Sequence, residues 1–415
     1  MFEQTRALWA EHKGLLTFGF LMIFFSGFGQ SIFFGPYLPA IQEDLNLSKT
    51  AIGSIYAAAT IVSSILIIFS GKMLDVIRLR TFVAIVMAGM AIGCLLMANA
   101  VNVVILFLAF LLLRQFGQGL CGLSAQTSIN RYIDENKGKA NALIALGGPI
   151  MIAAFPVLAL QMETFFHWRD AWMIYAAFTA LVLLPSFFFY LRRHQSTTHA
   201  QWEARVNAEK KAREQNPLDA FEDDWTRKNV LMNWKFYALV SLTFLAPFIG
   251  TVVAFYQIDI AESLSISPIA FASSFTLFTV ANIICTLGAG YVIDRFGERS
   301  ILIGFCLTYT LGLALLTSGL SLPFVFAGMF FIGGGSGMIS TVGGPLLVQL
   351  YGTKHLGAIK SLLFATSILS SALSPFMMGY LQDQGVDILT QFSWFMYYSG
   401  IIWIIAFPLC AKAKQ

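Results

Sequence analysis

The sequence predicts an all-α membrane protein with twelve membrane-spanning helices arranged as two six-helix bundles. Three observations predict it. Hydrophobic residues make up 57% of the chain and charged residues only 12%, against roughly 25% charged in a soluble domain, and the mean hydropathy is +0.72. Apolar runs of the ~20 residues needed to cross ~30 Å of hydrocarbon recur along the whole chain. Finally, the first half of the chain reappears in the second at a constant offset.

The spans are expected near 14–40, 50–71, 81–99, 102–130, 139–161 and 168–191, then 236–259, 267–291, 299–318, 321–350, 357–380 and 391–411. Runs such as IVMAGMAIGCLLMA and LVSLTFLAPFIGTVVAF are continuously apolar, whereas a β-barrel strand alternates. A backbone immersed in lipid must satisfy its own hydrogen bonds, so these runs are helices. The first is longer than a signal-peptide core and no small-residue cleavage site follows it, so it is expected to be retained.

Charge sets the orientation. With a cytoplasmic N-terminus, the inner side receives Lys72, Arg78, Arg80, Arg131, Lys137, Lys139, Arg295, Arg299, Lys354 and Lys360, together with the basic residues of the tails and the middle loop; the outer side receives Lys49 and Arg169. The positive-inside rule therefore places both termini in the cytoplasm. Short loops without obvious glycosylated ectodomains suit a bacterial inner membrane.

Residues 1–191 and 236–415 are the expected bundles, joined by a cytoplasmic linker at 192–235. The linker is the only extended polar segment and carries acids and bases in similar numbers. Its stretch from Ala200 to Glu214 has the composition of a charged surface helix, and a solvated linker is its simplest role.

An offset of 219 places Ser48, Ala51, Ser54 and Thr60 on Ser267, Ala270, Ser273 and Thr279. It also places Gly71, Asp75 and Arg80 of GKMLDVIRLR on Gly290, Asp294 and Arg299 of GYVIDRFGER. Tyr132, Gly138 and Pro156 fall on Tyr351, Gly357 and Pro375, and with three residues more, WMIY at Trp172 meets WFMY at Trp394. Because each unit has an even number of spans, both lie the same way up, related by an axis along the membrane normal with a cavity expected between them.

GYVIDRFGER, between the eighth and ninth spans, resembles the loop signature of the major facilitator superfamily, and GKMLDVIRLR is its partner between the second and third. The first copy has Val76 and Arg78 where the second has Arg295 and Gly297, which predicts a looser turn. RQFGQGL, KGKANALIALGGP and HWRDAW look like the monocarboxylate and oxalate/formate branch, although the eighth span lacks the basic residues of that branch. The resemblance implies secondary transport by alternating access. It also implies a conformational latch in which Gly71, Asp75, Arg80, Gly290, Asp294, Arg295, Gly297 and Arg299 hold the outward-open arrangement, an acidic side chain pairing with a helix N-terminus and an arginine.

Arg114 stands out within FLLLRQFGQGL, about twelve residues and hence ~18 Å into the fourth span. A charge there costs ~2.5–3.5 kcal/mol on insertion scales, so it faces a cavity or a partner and not lipid. A guanidinium's planar fork suits a carboxylate or phosphate; equally, it can bond backbone carbonyls and hold helices together. Gln118 lies one turn on. In the family the first, fourth, seventh and tenth spans line the cavity, which adds Gln30 (with Ser26), Tyr256 and Gln257 (with Thr251), and Ser340 (with Ser336 and Thr341). Phe33, Phe34 and Tyr37 are candidates to shape its outer side.

No carboxylate lies deep in any span; Glu163, Asp259 and Glu262 sit near outer ends. A coupling proton would therefore travel with an anionic substrate or bind Asp259 or Glu163, and exchange is equally open. Gly147, Gly148 and Pro149 and the GGGSG run at Gly333–Gly337 are either close-packing surfaces or hinges.

No P-loop, GxSxG or metal-ligand spacing appears, so neither an enzyme nor a primary pump is expected. Cys94, Cys121, Cys285, Cys306 and Cys410 lie within spans and suggest no disulfide framework. The net charge of +4 is distributed by topology and gives no sign of nucleic-acid binding. The expected partners are a small anionic molecule and the bilayer, with no cofactor, no metal and a monomeric state. The competing readings are a carrier of a neutral or amphipathic compound with Arg114 structural, and a non-transporting sensor signalling through the middle loop.

Overall fold

The computed structural model describes residues 2–133, 136–191, 227–296, 298–351 and 356–411, and these are helical apart from short links. Six spans precede the 192–226 segment. They are α1 (Phe2–Phe25), α2 (Lys49–Val76), α3 (Leu79–Ala98), α4 (Val103–Leu112 running on to Tyr132), α5 (Lys137–Ala145 with Gly147–Phe165) and α6 (Trp168–Phe178 running on to Leu191). Six follow it: α7 (Trp234–Phe255 with Gln257–Ser263), α8 (Pro268–Phe296), α9 (Glu298–Thr317), α10 (Leu322–Tyr351), α11 (Leu356–Asp383) and α12 (Ile388–Ala411). Among the described residues, nine helices are long and apolar enough to cross a membrane, or ten if the two pieces of α7 count as one.

Spans α1, α4, α6 and α7 depart from a plain α-helix, α6 through a π-helical turn at Thr179–Leu183. The first, expected to run from 14 to 40, breaks after Phe25 into 3₁₀ turns at Ser26–Gly29 and Gly35–Tyr37, and then resumes as a short helix at Leu38–Leu45. Gly27, Gly29, Gly35 and Pro36 are poor helix formers. In α4, Leu113–Leu120 is π-helical, with Cys121 N–H reaching back five residues to Phe116 O. The two pieces of α7 meet at 76°. Pro247 is too far upstream to cause that bend; instead Tyr256 leaves helical geometry (φ −100°, ψ 31°) and its hydroxyl donates to Pro375 O at 2.6 Å.

Pro375 cannot donate to the carbonyl four residues back. Ser374 Oγ donates to that carbonyl, Ser371 O, at 3.3 Å, so α11 passes through its proline with the lost hydrogen bond replaced.

The chain divides into two compact units. The first comprises residues 1–34, 58–151 and 162–220. Its interior is aromatic: Phe33 meets Trp172 (5.3 Å between centroids) and Tyr175 (4.9 Å), and Phe34 meets Phe110 (5.0 Å). Gly147 of α5 lies so close to α1 that a Cβ there would come 2.5 Å from Phe20 O.

The second unit comprises residues 35–57, 152–161 and 221–415. It therefore takes in the first part of α2 and a piece of α5 along with the spans after the linker. Its α8 and α10 are joined through glycine: a Cβ at Gly333 would lie 2.2 Å from Phe278 O, and one at Gly337 2.4 Å from Asn282 O. Gly312 of α9 and Gly328 of α10 approach each other in the same way. α10 runs unbroken through its glycines, which serve here as contact surfaces. Among the described residues Cys94, Cys121, Cys285 and Cys306 form no disulfide; the Cys410 side chain lies outside the described residues.

Candidate functional site

In the first unit, the π-helical turn of α4 faces the 3₁₀ turn of α1. Gly29 and Gly117 make the approach: a Cβ on Gly29 would fall 2.1 Å from Leu113 O and 2.6 Å from Gln118 N, and one on Gly117 would fall 2.8 Å from Gly29 Cα. Any side chain at either position would force the two segments apart. Arg114, at 5% exposure, sits in this turn and donates from Nη1 to Gly29 O at 3.4 Å. A π-turn widens a helix locally and recurs at functional sites; here it carries the cation.

The predicted neighbours divide. Gln30 adjoins Gly29 in extended geometry (φ −95°, ψ 147°), half-buried, and its N–H donates to Gly27 O. Gln118 is half-buried, with its backbone against Gly29. Arg114, Gln118 and Gln30 are thus brought together. Tyr256 and Gln257 belong to the second unit, at the α7 bend, where Gln257 Nε2 donates to Ala254 O at 2.9 Å and packs against Gly35. Ser340 donates to Gly337 O, three residues back in its own helix. Thr251 shares a 2.8 Å hydrogen bond with Ser371, and Ser336 one of 2.7 Å with Tyr309.

Gln115 was not anticipated. It is buried and ties α4 to α2 at two points: Oε1 accepts from Ser63 Oγ at 3.0 Å, and Nε2 donates to Ser70 Oγ at 2.7 Å. Serines seven residues apart on α2 facing a glutamine on a neighbouring span are the only trace of this clamp in the sequence.

The second unit holds a polar seam at the start of α2. The α2 backbone meets α11 directly: a Cβ on Gly53 would lie 2.6 Å from Pro375 O, and one on Gly379 2.5 Å from Lys49 O. Asp383 closes the α2 N-terminus, accepting from Lys49 N at 3.2 Å and Thr50 N at 2.8 Å, where the helix dipole favours a carboxylate. Lys49 Nζ pairs with Asp259 on the second piece of α7 and donates to Gln382 Oε1 at 2.9 Å. Tyr56 packs on Phe255, with 4.9 Å between centroids. Under the 219-residue offset, Lys49 and Asp259 correspond to Pro268 and Ala40, which carry no charge. The pair is therefore no part of what the two repeats share.

For the predicted latch, Gly71 faces Leu123: a Cβ there would lie 3.7 Å from Leu123 Cδ2, an ordinary van der Waals contact. Arg80 lies over the Phe188 ring at 5.1 Å, and Arg295 donates to Tyr291 Oη at 3.0 Å. The side chains of Asp75, Asp294 and Arg299, the surroundings of Gly290, and Gly297 itself lie outside the described residues. The link between α2 and α3 is Ile77–Arg78. Arg131, buried, donates to Leu74 O at the far end of α2. Among the described residues, no group of three His, Cys, Asp or Glu side chains is placed to hold a metal.

Helices broken at polar points within an otherwise apolar, membrane-spanning bundle define a membrane transport protein. The family model described as Major Facilitator Superfamily matches residues 19–259 and 239–413, and the chain belongs to that superfamily; it is a transporter and not an enzyme. No curated protein sequence matches the chain. Among solved structures, the nucleoside transporter NupG is similar over 97% of this chain and 98% of its own, with a TM-score of 0.71 and 15% identity. A D-xylose-proton symporter is similar over 96% and 97%, with a TM-score of 0.70 and 15% identity. At that identity the likeness is one of fold.

Proposed function

We propose that the protein carries a small organic anion of the carboxylate type across the membrane by alternating access, as a symporter or exchanger, with both termini cytoplasmic. The observation that carries the reading is Arg114: a guanidinium 5% exposed, mid-way along a span, in a π-turn held against a broken stretch of α1. A permanent cation at that depth is stabilised by negative charge or aligned dipoles, and a carboxylate engages the guanidinium fork through two parallel hydrogen bonds. Gln118 and Gln30 supply further donors and acceptors beside it. The organic-anion reading agrees with the likeness of RQFGQGL to the monocarboxylate branch.

The bundles 1–191 and 236–415, joined by the 192–235 linker, are the moving parts. On the positive-inside orientation the Lys49 seam is on the outer side, so it is the contact that must open to admit substrate from outside. The latch residues Asp75 with Arg80, and Asp294 with Arg295 and Arg299, act at the opposite, cytoplasmic ends of the helices.

A second reading has a specific observation in its favour. Arg114 donates to Gly29 O, as an arginine that only joins α4 to α1 would, and the two similar structures are named for a nucleoside and for D-xylose. Thermal unfolding of the purified protein against matched carboxylates, sugars, nucleosides and amino acids separates the readings. The anion reading expects stabilisation by a carboxylate that disappears in Arg114→Gln while the unliganded variant stays folded. Stabilisation of both proteins by one neutral compound, or collapse of the unliganded variant, would assign Arg114 to structure.

A further inference from the structure

A groove of about 420 Å³ lies between the start of α1 and the end of α6, away from the Arg114 turn. Its floor is aromatic: Phe18 meets Phe187 edge-on at 5.4 Å and stacks on Tyr190 at 6.0 Å. Gly14 keeps it open, because a Cβ there would fall 2.3 Å from Tyr190 Oη. At its mouth stand Lys13 and Trp9, both exposed, the tryptophan at 49%. The candidate span of α1 is Leu8–Gly29; Trp9 and Lys13 belong to its polar end and Phe18 to the uncharged run that follows Lys13.

We infer that this groove is a binding site for an acidic phospholipid, with one acyl chain along Phe18 and Phe187 and the phosphate against Lys13. Lipid is the solvent on this surface, and an apolar floor below a cation and a tryptophan reproduces the layering of a leaflet, chain below headgroup. The charge selects the headgroup. Lys13 is the basic residue that lines the groove. The nearby acid, Glu11, faces His12 at 3.6 Å. Basic pockets between spans on the cytoplasmic face recruit anionic headgroups. The lysine stem lies along apolar surface while its ammonium reaches the phosphate.

The test is photo-crosslinking of the full-length protein in vesicles of phosphatidylglycerol and phosphatidylethanolamine at 1:3, with a benzophenone amino acid replacing exposed Thr17 in the groove. Adducts are identified by mass. The expected result is a phosphatidylglycerol adduct enriched about five-fold over the bulk ratio; the enrichment disappears in Lys13→Gln and persists in Lys13→Arg. Lipid adducts at the bulk ratio in all three proteins would overturn the headgroup assignment. An adduct to residues 192–226 of the same chain would overturn the site itself, since the linker would then occupy the groove. Native mass spectrometry of the protein with its natural Thr17 provides a second reading: retained phosphatidylglycerol is expected in wild type and Lys13→Arg, and equal retention in Lys13→Gln counts against the proposal.

Discussion

Replacing Lys49 by glutamine should loosen the outer seam by a calculable amount. The lysine and Asp259 side chains are 32% and 19% exposed, so their attraction is well below the ~4 kcal/mol of a contact pair at an effective dielectric of 20. Exposure and side-chain ordering reduce it to about 1 kcal/mol. The hydrogen bond to Gln382 brings the loss to between about 1 and 1.5 kcal/mol, a change of about five- to thirteen-fold in the ratio of closed to open seam if the contacts exist only when it is closed. Ala57, 7% exposed and one turn beyond Gly53, is a suitable reporter. In a cysteine-free background, Ala57→Cys should react with an impermeant maleimide, added outside intact vesicles, about five times faster when Lys49→Gln is present. Asp259→Asn should act similarly, and the double variant should add little, because both remove one interaction. High external salt should narrow the difference between wild type and variants. Unchanged labelling in both single variants, or full additivity in the double variant, would show that the pair does not restrain the seam.

Four further outcomes follow from the geometry. Gly53→Leu places a side chain where a Cβ is already 2.6 Å from Pro375 O; it should prevent the seam from closing, raise Ala57→Cys labelling above that of Lys49→Gln and abolish net flux. Gly117→Val sets a branched side chain against Gly29 Cα and should lower the thermal midpoint in detergent by the equivalent of ~1–3 kcal/mol. Gln115→Leu leaves Ser63 and Ser70 without the side chain that joins them and should cost about 1–2 kcal/mol in the same assay, without changing which ligands stabilise the protein. Arg114→Lys retains the charge and loses the fork, so on the anion reading the apparent affinity for a carboxylate should fall about ten-fold, while unchanged affinity would count against bidentate binding.

The helices themselves were legible, because lipid leaves a backbone few alternatives and apolar runs of span length mark where they must form. Arg114 was legible for the converse reason: a charge amid hydrocarbon is costly and so conspicuous. What surrounds it was less so. The break in α1 was foreshadowed by Gly27, Gly29, Gly35 and Pro36, yet hydropathy averages across such residues and reads one span. The π-turn has no sequence signature; an α-helical period draws the eye to Gln118 and passes over Gln115, which holds α2. The bend in α7 carries no glycine or proline at Tyr256, since a hydroxyl bonded to Pro375 O, 119 residues away, helps to fix it. Lys49 looked like a loop charge that bore only on orientation, and its role at the seam depends on Asp259 and Asp383, which distance in sequence conceals. The latch motif was recognised as a pattern, while most of its charged side chains fall outside the described residues.

The glycines of α10 also have a mechanical consequence. Where two backbones touch with no side chains between them, neither sliding nor tilting is possible without collision, so α8, α9 and α10 are fastened into a stiff three-helix plate. Compliance is then left to places where the chain has already given up regular hydrogen bonding, among them the 3₁₀ turns after Phe25, the π-turns at Arg114 and at Thr179–Leu183, and the corner at Tyr256. Substitutions that stiffen those joints should slow the transport cycle without weakening ligand binding, whereas added bulk within the plate should weaken the fold before it alters the cycle.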